Sequence, residues 1–304
     1  MRCDAWRVAA DRCVSLDPWC LMGILNATPD SFSDGGLHLD PERAASHGVA
    51  LVDAGASIID VGGESTRPGA ERIAPAEQID RVVPVVSALR SALGERDVVI
   101  TVDTTSAEVA AAALEVGANA VNDVSGGTED PEMLRLIAQR DVGIILMHRL
   151  APPDLDSYSD RYDAEPEYGD VVRAVTEALA GRIREAEATG IAPASIMVDP
   201  GFGFGKSVEQ NFELMRGLDE LTRLGRPVLV GLSRKSFLGA TTDTTNPADR
   251  DLESAVAAVL LGSPRGLVQR VHDVAGHQRA LMVGEAVRGH RMAAEPGSSR
   301  PRTR

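Results

Sequence analysis

Lysine is almost missing from this 304-residue sequence. It stands only at Lys206 and Lys235, and the other 29 of the 31 basic residues are arginine. A compact ammonium is confined to two positions, whereas the planar guanidinium serves wherever positive charge alone is needed. Cysteine is scarce too. Cys3, Cys13 and Cys20 cluster near the start, are odd in number, and show neither CxxC spacing nor a nearby histidine pair. That excludes a disulfide framework and a cysteine metal centre and predicts reduced, structural thiols. No apolar run approaches the ~18 residues that cross a bilayer. The opening "MRCDAWRVAADRC" lacks the apolar core and cleavage signal of a secretory leader, so a soluble cytoplasmic protein is expected. Positive charge is in deficit overall: the net charge of −14 excludes a nucleic-acid or anionic-membrane surface. An anionic small substrate would require a local basic cluster.

What is present is a regular alternation. The hydrophobic content of 43% over 304 residues fits one large domain or two small ones. The stretch "LMGILNATPDSFSDGG", residues 21–36, organises the rest: a buried strand delivers Asn26 and opens into a loop rich in hydroxyls and carboxylates. Further strands are predicted at 57–61, 98–103, 118–124, 143–148, 195–199, 228–232 and 266–271. Helices are predicted at 41–54, 75–93, 106–116, 131–139, 168–189, 208–224 and 250–261, with a last one ending near 287. A polar loop rich in Asp, Pro and Tyr fills 149–167. Eight near-continuous apolar strands, each followed by a helix, predict an α/β fold of the (β/α)8 TIM-barrel type as a single domain. An open doubly wound sheet would call for a glycine-rich dinucleotide turn after the first strand, and "NATPDSFSDGG" has none. The expected organisation is an N-terminal segment at 1–19, the barrel at 20–288, and a disordered tail at 289–304.

The informative feature is where polar residues fall. Asn26, Asp60, Asp103, Asn122, His148 and Asp199 stand at C-terminal strand ends, with Ser233 to Lys235 and His272 just beyond theirs. In a barrel these ends converge on one mouth, where chemistry is built. Each could instead cap the following helix, but so many together favour a site. Asp103, Asn122 and Asp199 suit a flat heterocycle presenting a ring N–H beside an exocyclic amine; a divalent metal is the other use of such a set. Arg270 and His272, two apart on the last strand, point to one side and can converge on an anion beside Ser233. The alternative for Arg270 is an ion pair with Asp273 or Glu285. "GFGFGKS" at 201–207 looks like a phosphate loop but is one residue short of the Walker spacing, so nucleotide triphosphate binding is rejected. Its glycines let the backbone turn sharply beside a ligand, with Phe202 and Phe204, two of only five phenylalanines, as an aromatic wall.

Taken in order, "GILNATPDSFSDGG", "DVGGESTRPGA", "VDT", "NDVSG", "MH", "DPGFGFGK", "GLSRKSFLG" and "RVHDV" resemble the motif set of the dihydropteroate synthase family from about residue 22 to 287. The resemblance implies condensation of 6-hydroxymethyl-7,8-dihydropterin diphosphate with p-aminobenzoate to give 7,8-dihydropteroate and diphosphate in folate biosynthesis. It also implies Mg2+ and a homodimer. Carried onto this sequence, Asn26 would ligate the Mg2+ held by the diphosphate, and Arg270, His272 and Ser233 would bind the phosphates. The pterin edge would lie on Asp103, Asn122 and Asp199, with Lys235 reaching the pterin ring and the aminobenzoate side. Thr66, Arg67, Pro68, Phe32 and Phe204 would shape the aminobenzoate pocket. Lys235, Asp103 and Arg270 are the residues expected to carry the catalysis.

The sequence departs from the pattern in three places. Ser106 follows "VDTT" where a basic residue is expected, "RLAPP" at 149–153 replaces a glycine-containing turn, and Glu253 stands where a glycine is common. Two other readings share the barrel: a pterin-dependent methyltransferase-like domain, and a non-catalytic pterin-binding paralogue. The first would not be expected to keep "TPDSFSDGG" and "RVHDV". The second would be signalled by loss of Asn26, Lys235, Arg270 or His272, and all four are present.

Overall fold

The structure, a computed structural model, describes residues 4–28, 40–262 and 266–289. The hydroxyl- and carboxylate-rich loop after Asn26, including Phe32, lies outside the described residues apart from Ala27 and Thr28, and so does the tail from residue 290. Eight parallel strands close into a barrel: Cys20–Asn26, Ile58–Gly62, Val99–Asp103, Ala120–Asp123, Gly143–Met147, Ile196–Asp199, Val228–Val230 and Leu267–Val271, the last pairing with the first. Their residues are buried almost without exception because helices cover the outside while the strands' own side chains fill the inside.

Side chains alternate between these two faces, and the alternation builds the molecule in layers. Met22, Ile58, Val99, Ala120, Ile145, Met197, Leu229 and Val268 form an apolar lower layer inside the barrel. Two residues further along, the same face carries Ile24, Asp60, Thr101, Asn122, Met147, Asp199 and Arg270. Two further still, it carries Asn26, Asp103, Ser233 and His272. The interior changes from apolar to polar within one strand length, so the barrel has a sealed end and a reactive end.

The sealed end is closed by an element that the helix-and-strand alternation does not reveal. Residues Ala5–Ala9 and Arg12–Ser15 pair as an antiparallel hairpin. Trp6, Val8, Val14 and Leu16 pack onto the lower layer, and the Trp6 Nε1–H donates to the Ser195 carbonyl at 3.0 Å. Gly143 makes this fit possible: a Cβ there would lie 2.7 Å from the Trp6 ring. Cys20 belongs to the same layer, where burial pushes its thiol up to about 12 and keeps it protonated.

Element ends fall within three residues of expectation, and two segments differ in kind. The helix predicted at 208–224 is two helices, Val208–Arg216 and Leu218–Thr222, that meet at Gly217, which sits against Val172 too closely for a side chain. The strand predicted at 228–232 stops at Val230, and a short helix, Ser236–Gly239, follows the motif bearing Lys235. The departures from the family pattern have local structural uses. Ser106 caps the helix Ala107–Glu115, Arg149 pairs with Glu129, and Glu253 accepts hydrogen bonds from Thr242 and Thr244.

Candidate active site

The reactive end opens into a cavity of about 550 Å³. Asn26, Thr66, Arg67, Pro68, Asp103, Asn122, Asp199, Phe204, Ser233, Lys235, Arg270 and His272 all line it. The alternative use of the strand-end residues as helix caps is not the one adopted. Side-chain caps come instead from Asp40, Ser106, Asp170, Ser207 and Asp273.

Asp60 is the buried centre of the polar layer. It is the third residue of its strand rather than a strand end, and it is fully buried. Its carboxylate accepts from Thr101 Oγ1, from Asn122 Nδ2 at 3.0 Å and from Arg270 Nε at 2.7 Å. Arg270 Nη2 donates in turn to Asp103 Oδ2 at 2.9 Å. The ion pair with Asp273 or Glu285 is therefore not the one formed; Asp273 instead caps its helix and Glu285 pairs with Arg288. Inward parity decides this, because position 270 faces the barrel interior while 273 and 285 lie on the outer helix. Arg270 commits two guanidinium nitrogens to carboxylates, which leaves Nη1 for any anion above it.

This web orients the cavity floor. A carboxylate can only accept, so Asn122 turns its NH2 toward Asp60 and leaves Oδ1 without a partner; Asp103 Oδ1 is likewise buried and unpaired. Two orphaned acceptors beside one another call for donors from a ligand or from water. Burial pushes the Asp103 carboxyl up, Arg270 opposes the rise, and Asp60 adds to it. Asp199 is also pushed up by burial, against a hydrogen bond from the Gly201 N–H at 2.7 Å.

Cations also gather around the cavity. Arg67, Arg81, Arg234, Lys235, Arg250 and Arg270 outnumber Glu64, Glu71, Asp103 and Asp199 around the cavity, so a chain of net charge −14 presents a local basic patch there. His272 Nδ1 lies 2.9 Å from Ser233 Oγ, and its own backbone N–H donates to the same oxygen at 3.2 Å. This geometry accommodates a hydroxyl proton directed at Nδ1, the tautomer that leaves Nε2–H to a ligand. Burial and the charges of Arg234 and Arg270 hold His272 down to about 3, so it is a neutral donor. Lys235 Nζ lies 4.0 Å from the centroid of the Phe204 ring, and burial lowers it to about 8 in spite of Asp199.

His148 belongs elsewhere. It follows the strand Gly143–Met147, but it does not line the main cavity, and its Nδ1 is 3.1 Å from Lys206 Nζ. The part played by the fifth loop was missed in the sequence. Tyr158, in the fifth loop, lines the cavity, and that loop braces the glycine-rich turn through Asp156, Ser159 and Tyr168. Clustering of all three tyrosines in residues 158–168 was the available signal.

The pattern of a family described as pterin binding enzyme matches residues 22–272. Dihydropteroate synthase of Mycobacterium leprae is 44% identical over 275 residues, covering 89% of this chain and 94% of that protein. The chain belongs to the dihydropteroate synthase family. Among solved structures, Xanthomonas albilineans dihydropteroate synthase with 4-aminobenzoic acid superposes with a TM-score of 0.82 at 41% identity, covering 94% of this chain and 98% of the other. The same enzyme in complex with 7,8-dihydropteroate gives 0.79 at 39% identity, with 93% and 98% covered. In dihydropteroate synthase terms, the barrel, the ordered motifs and the ligand-ready floor coincide in one molecule. Among the described residues, no three histidine, cysteine or acidic side chains group as a metal centre, and no helix is long and apolar enough to cross a membrane.

Proposed function

We propose that this chain condenses 6-hydroxymethyl-7,8-dihydropterin diphosphate with p-aminobenzoate, releasing 7,8-dihydropteroate and diphosphate. The observation that carries the reading is the pair of unpartnered buried acceptors, Asp103 Oδ1 and Asn122 Oδ1, in a cavity whose charged lining residues are mainly cations. The acceptors match the ring N–H and amine edge of a pterin, and the cations match a diphosphate.

The chemistry needs little covalent help from the protein. The methylene carbon loses its bond to the diphosphate oxygen, the arylamine nitrogen forms a bond to that carbon, and the amine releases one proton. Positive character grows on the pterin methylene and negative charge on the leaving group, so placed charges do the work. Asp103 and Asp199 hold the pterin and stabilise its cationic character. Arg270 through Nη1, His272 through Nε2–H and Ser233 receive the diphosphate. Lys235 reaches between the pterin ring and the second substrate. Thr66, Arg67, Pro68 and Phe204 form the aminobenzoate pocket. Asn26 fits a Mg2+ held mainly by diphosphate oxygens, since a lone amide at the mouth suits a shared rather than a protein-built site. When bound, Mg2+ would neutralise charge on the leaving group.

The same reading takes residues 20–288 as one catalytic domain above the segment 1–19, and a cytoplasmic setting in which the thiols stay reduced. It also takes the protein as a homodimer. Leu252, Val256 and Leu260, spaced four apart on the helix Asp251–Leu261, are 74%, 48% and 78% exposed. Met282, Val283 and Val287 on the neighbouring helix Val274–Val287 extend the patch. A continuous exposed apolar stripe on two adjacent helices suits a second copy of the same face.

The deciding experiment is diphosphate release from the pterin substrate, with and without p-aminobenzoate and Mg2+. Release that depends on p-aminobenzoate, with dihydropteroate formed in equal amount, is expected. Release without an arylamine product, or none, overturns the assignment.

A further inference from the structure

Lys206 is one of the chain's two lysines, and it is fully buried outside the reactive cavity. Its Nζ lies 2.9 Å from the Gly201 carbonyl oxygen, 2.9 Å from the Phe204 carbonyl oxygen and 3.1 Å from His148 Nδ1. Burial lowers Lys206 to about 7 in spite of Asp199 and Asp156; its protonated form has three donors and no acceptor, and here three acceptors converge on it. His148 completes the set because burial and the Lys206 charge hold its ring down to about 3, leaving Nδ1 a free lone pair.

The turn that Lys206 gathers closes one hydrogen bond of its own, from Phe204 N–H to the Gly201 carbonyl at 3.1 Å, and is otherwise set by its glycines and its surroundings. Gly201, Gly203 and Gly205 all adopt positive φ, at 69°, 77° and 64°. Its other polar groups are tied from outside. Gly201 N–H is held by Asp199, Gly203 N–H by Asn211, Gly205 N–H by Asp156, and the Gly205 carbonyl by Tyr168. The carbonyls of Gly201 and Phe204 are held by Lys206. Phe204 is the residue whose ring meets the Lys235 ammonium. A guanidinium spreads its donors over a planar fork and cannot focus three hydrogen bonds through one nitrogen, which accounts for lysine here in a chain that otherwise uses arginine.

We propose that Lys206 is a positioning residue for the second substrate: by drawing the Gly201 and Phe204 carbonyls onto one ammonium, it sets the Phe204 ring against Lys235 and so forms the aminobenzoate wall. This rests on the reading of Phe204 as part of the aminobenzoate pocket. Of the pterin-binding groups, Asp103 and Asn122 stand on other strands, and Asp199 touches the turn only through the Gly201 N–H.

The test compares the unmodified protein with Lys206→Met and Lys206→Arg. In both variants the KM for p-aminobenzoate should rise about tenfold or more while that for the pterin diphosphate changes less than about threefold. Amide exchange at residues 201–206 should speed up in both, with the strand Ile196–Asp199 unchanged. Equal rises in both KM values, an unchanged aminobenzoate KM, or full rescue by Lys206→Arg would overturn the inference. If neither variant folds by circular dichroism, Lys206 serves stability and the positioning role is likewise overturned. Amide exchange does not require turnover, so an inactive unmodified protein counts against the proposed function while loop protection still decides the part played by Lys206.

Discussion

Lys235 Nζ stands 4.0 Å from the centre of the Phe204 ring and forms no ion pair among the described residues. Its charge is stabilised by an aromatic face and by the more distant Asp199, against the cost of burial. A cation kept close to its own titration point by the fold makes the activity sensitive to pH.

Lys235 loses its proton near pH 8, so it is charged below that value and neutral above it. If the ammonium acts on the reacting groups, kcat/KM should be lost as pH rises through about 8, and Lys235→Ala should lower turnover by about a hundredfold or more. Diphosphate release measured from pH 6 to pH 10 checks both; a flat profile to pH 10 in the unmodified protein would count against this role.

Asp60 touches no solvent but aligns Asn122 and Arg270. Asp60→Asn retains shape while halving the negative charge around Arg270 and allowing the Asn122 amide to reverse. The expected outcome is a loss of about ten- to a hundredfold in kcat/KM for the pterin substrate, with a much smaller effect on the aminobenzoate KM. Steady-state kinetics with each substrate varied in turn separates the two.

Trp6 seals the barrel floor at no exposure, with its indole N–H bonded to Ser195. Trp6→Ala removes that bond and leaves a void beneath Met22 and Ile145, which should cost about 3–5 kcal/mol of stability. Urea denaturation should show the loss, whereas kcat at low temperature should stay near that of the unmodified protein, because the floor lies a full layer below the reactive groups.

Leu260 is 78% exposed at the centre of the apolar stripe. Leu260→Asp places a charge in the face taken to bind a second copy, so sedimentation should show a dimer for the unmodified protein and a monomer for the variant. A monomer in both would remove the assigned interface.

Much of this molecule could be read along the chain because the signals are local. The helix predicted at 75–93 is observed as Pro75–Leu93, where proline opens the first turn and glycine follows the last residue. The site residues were legible for a related reason: once Met22 or Val268 is known to face inward, the period of two sends Asn26, Arg270 and His272 to the same side. The hairpin at Ala5–Ala9 and Arg12–Ser15 carried a similar signal in the alternation of Trp6 and Val8, but over too few residues to stand out.

The sequence by itself determined the order of strands and helices, the face each strand residue occupies, and the motifs that mark the reactive end, since all of these follow from periodicity and neighbouring residues. Only the tertiary structure decided which charges meet. Arg270 takes Asp60 and Asp103 rather than Asp273, and His148 accepts from Lys206 behind the glycine turn rather than facing the cavity. Those pairings arise when the last strand closes on the first and the fifth loop folds over the sixth strand. Burial then makes each charge depend on partners remote in sequence.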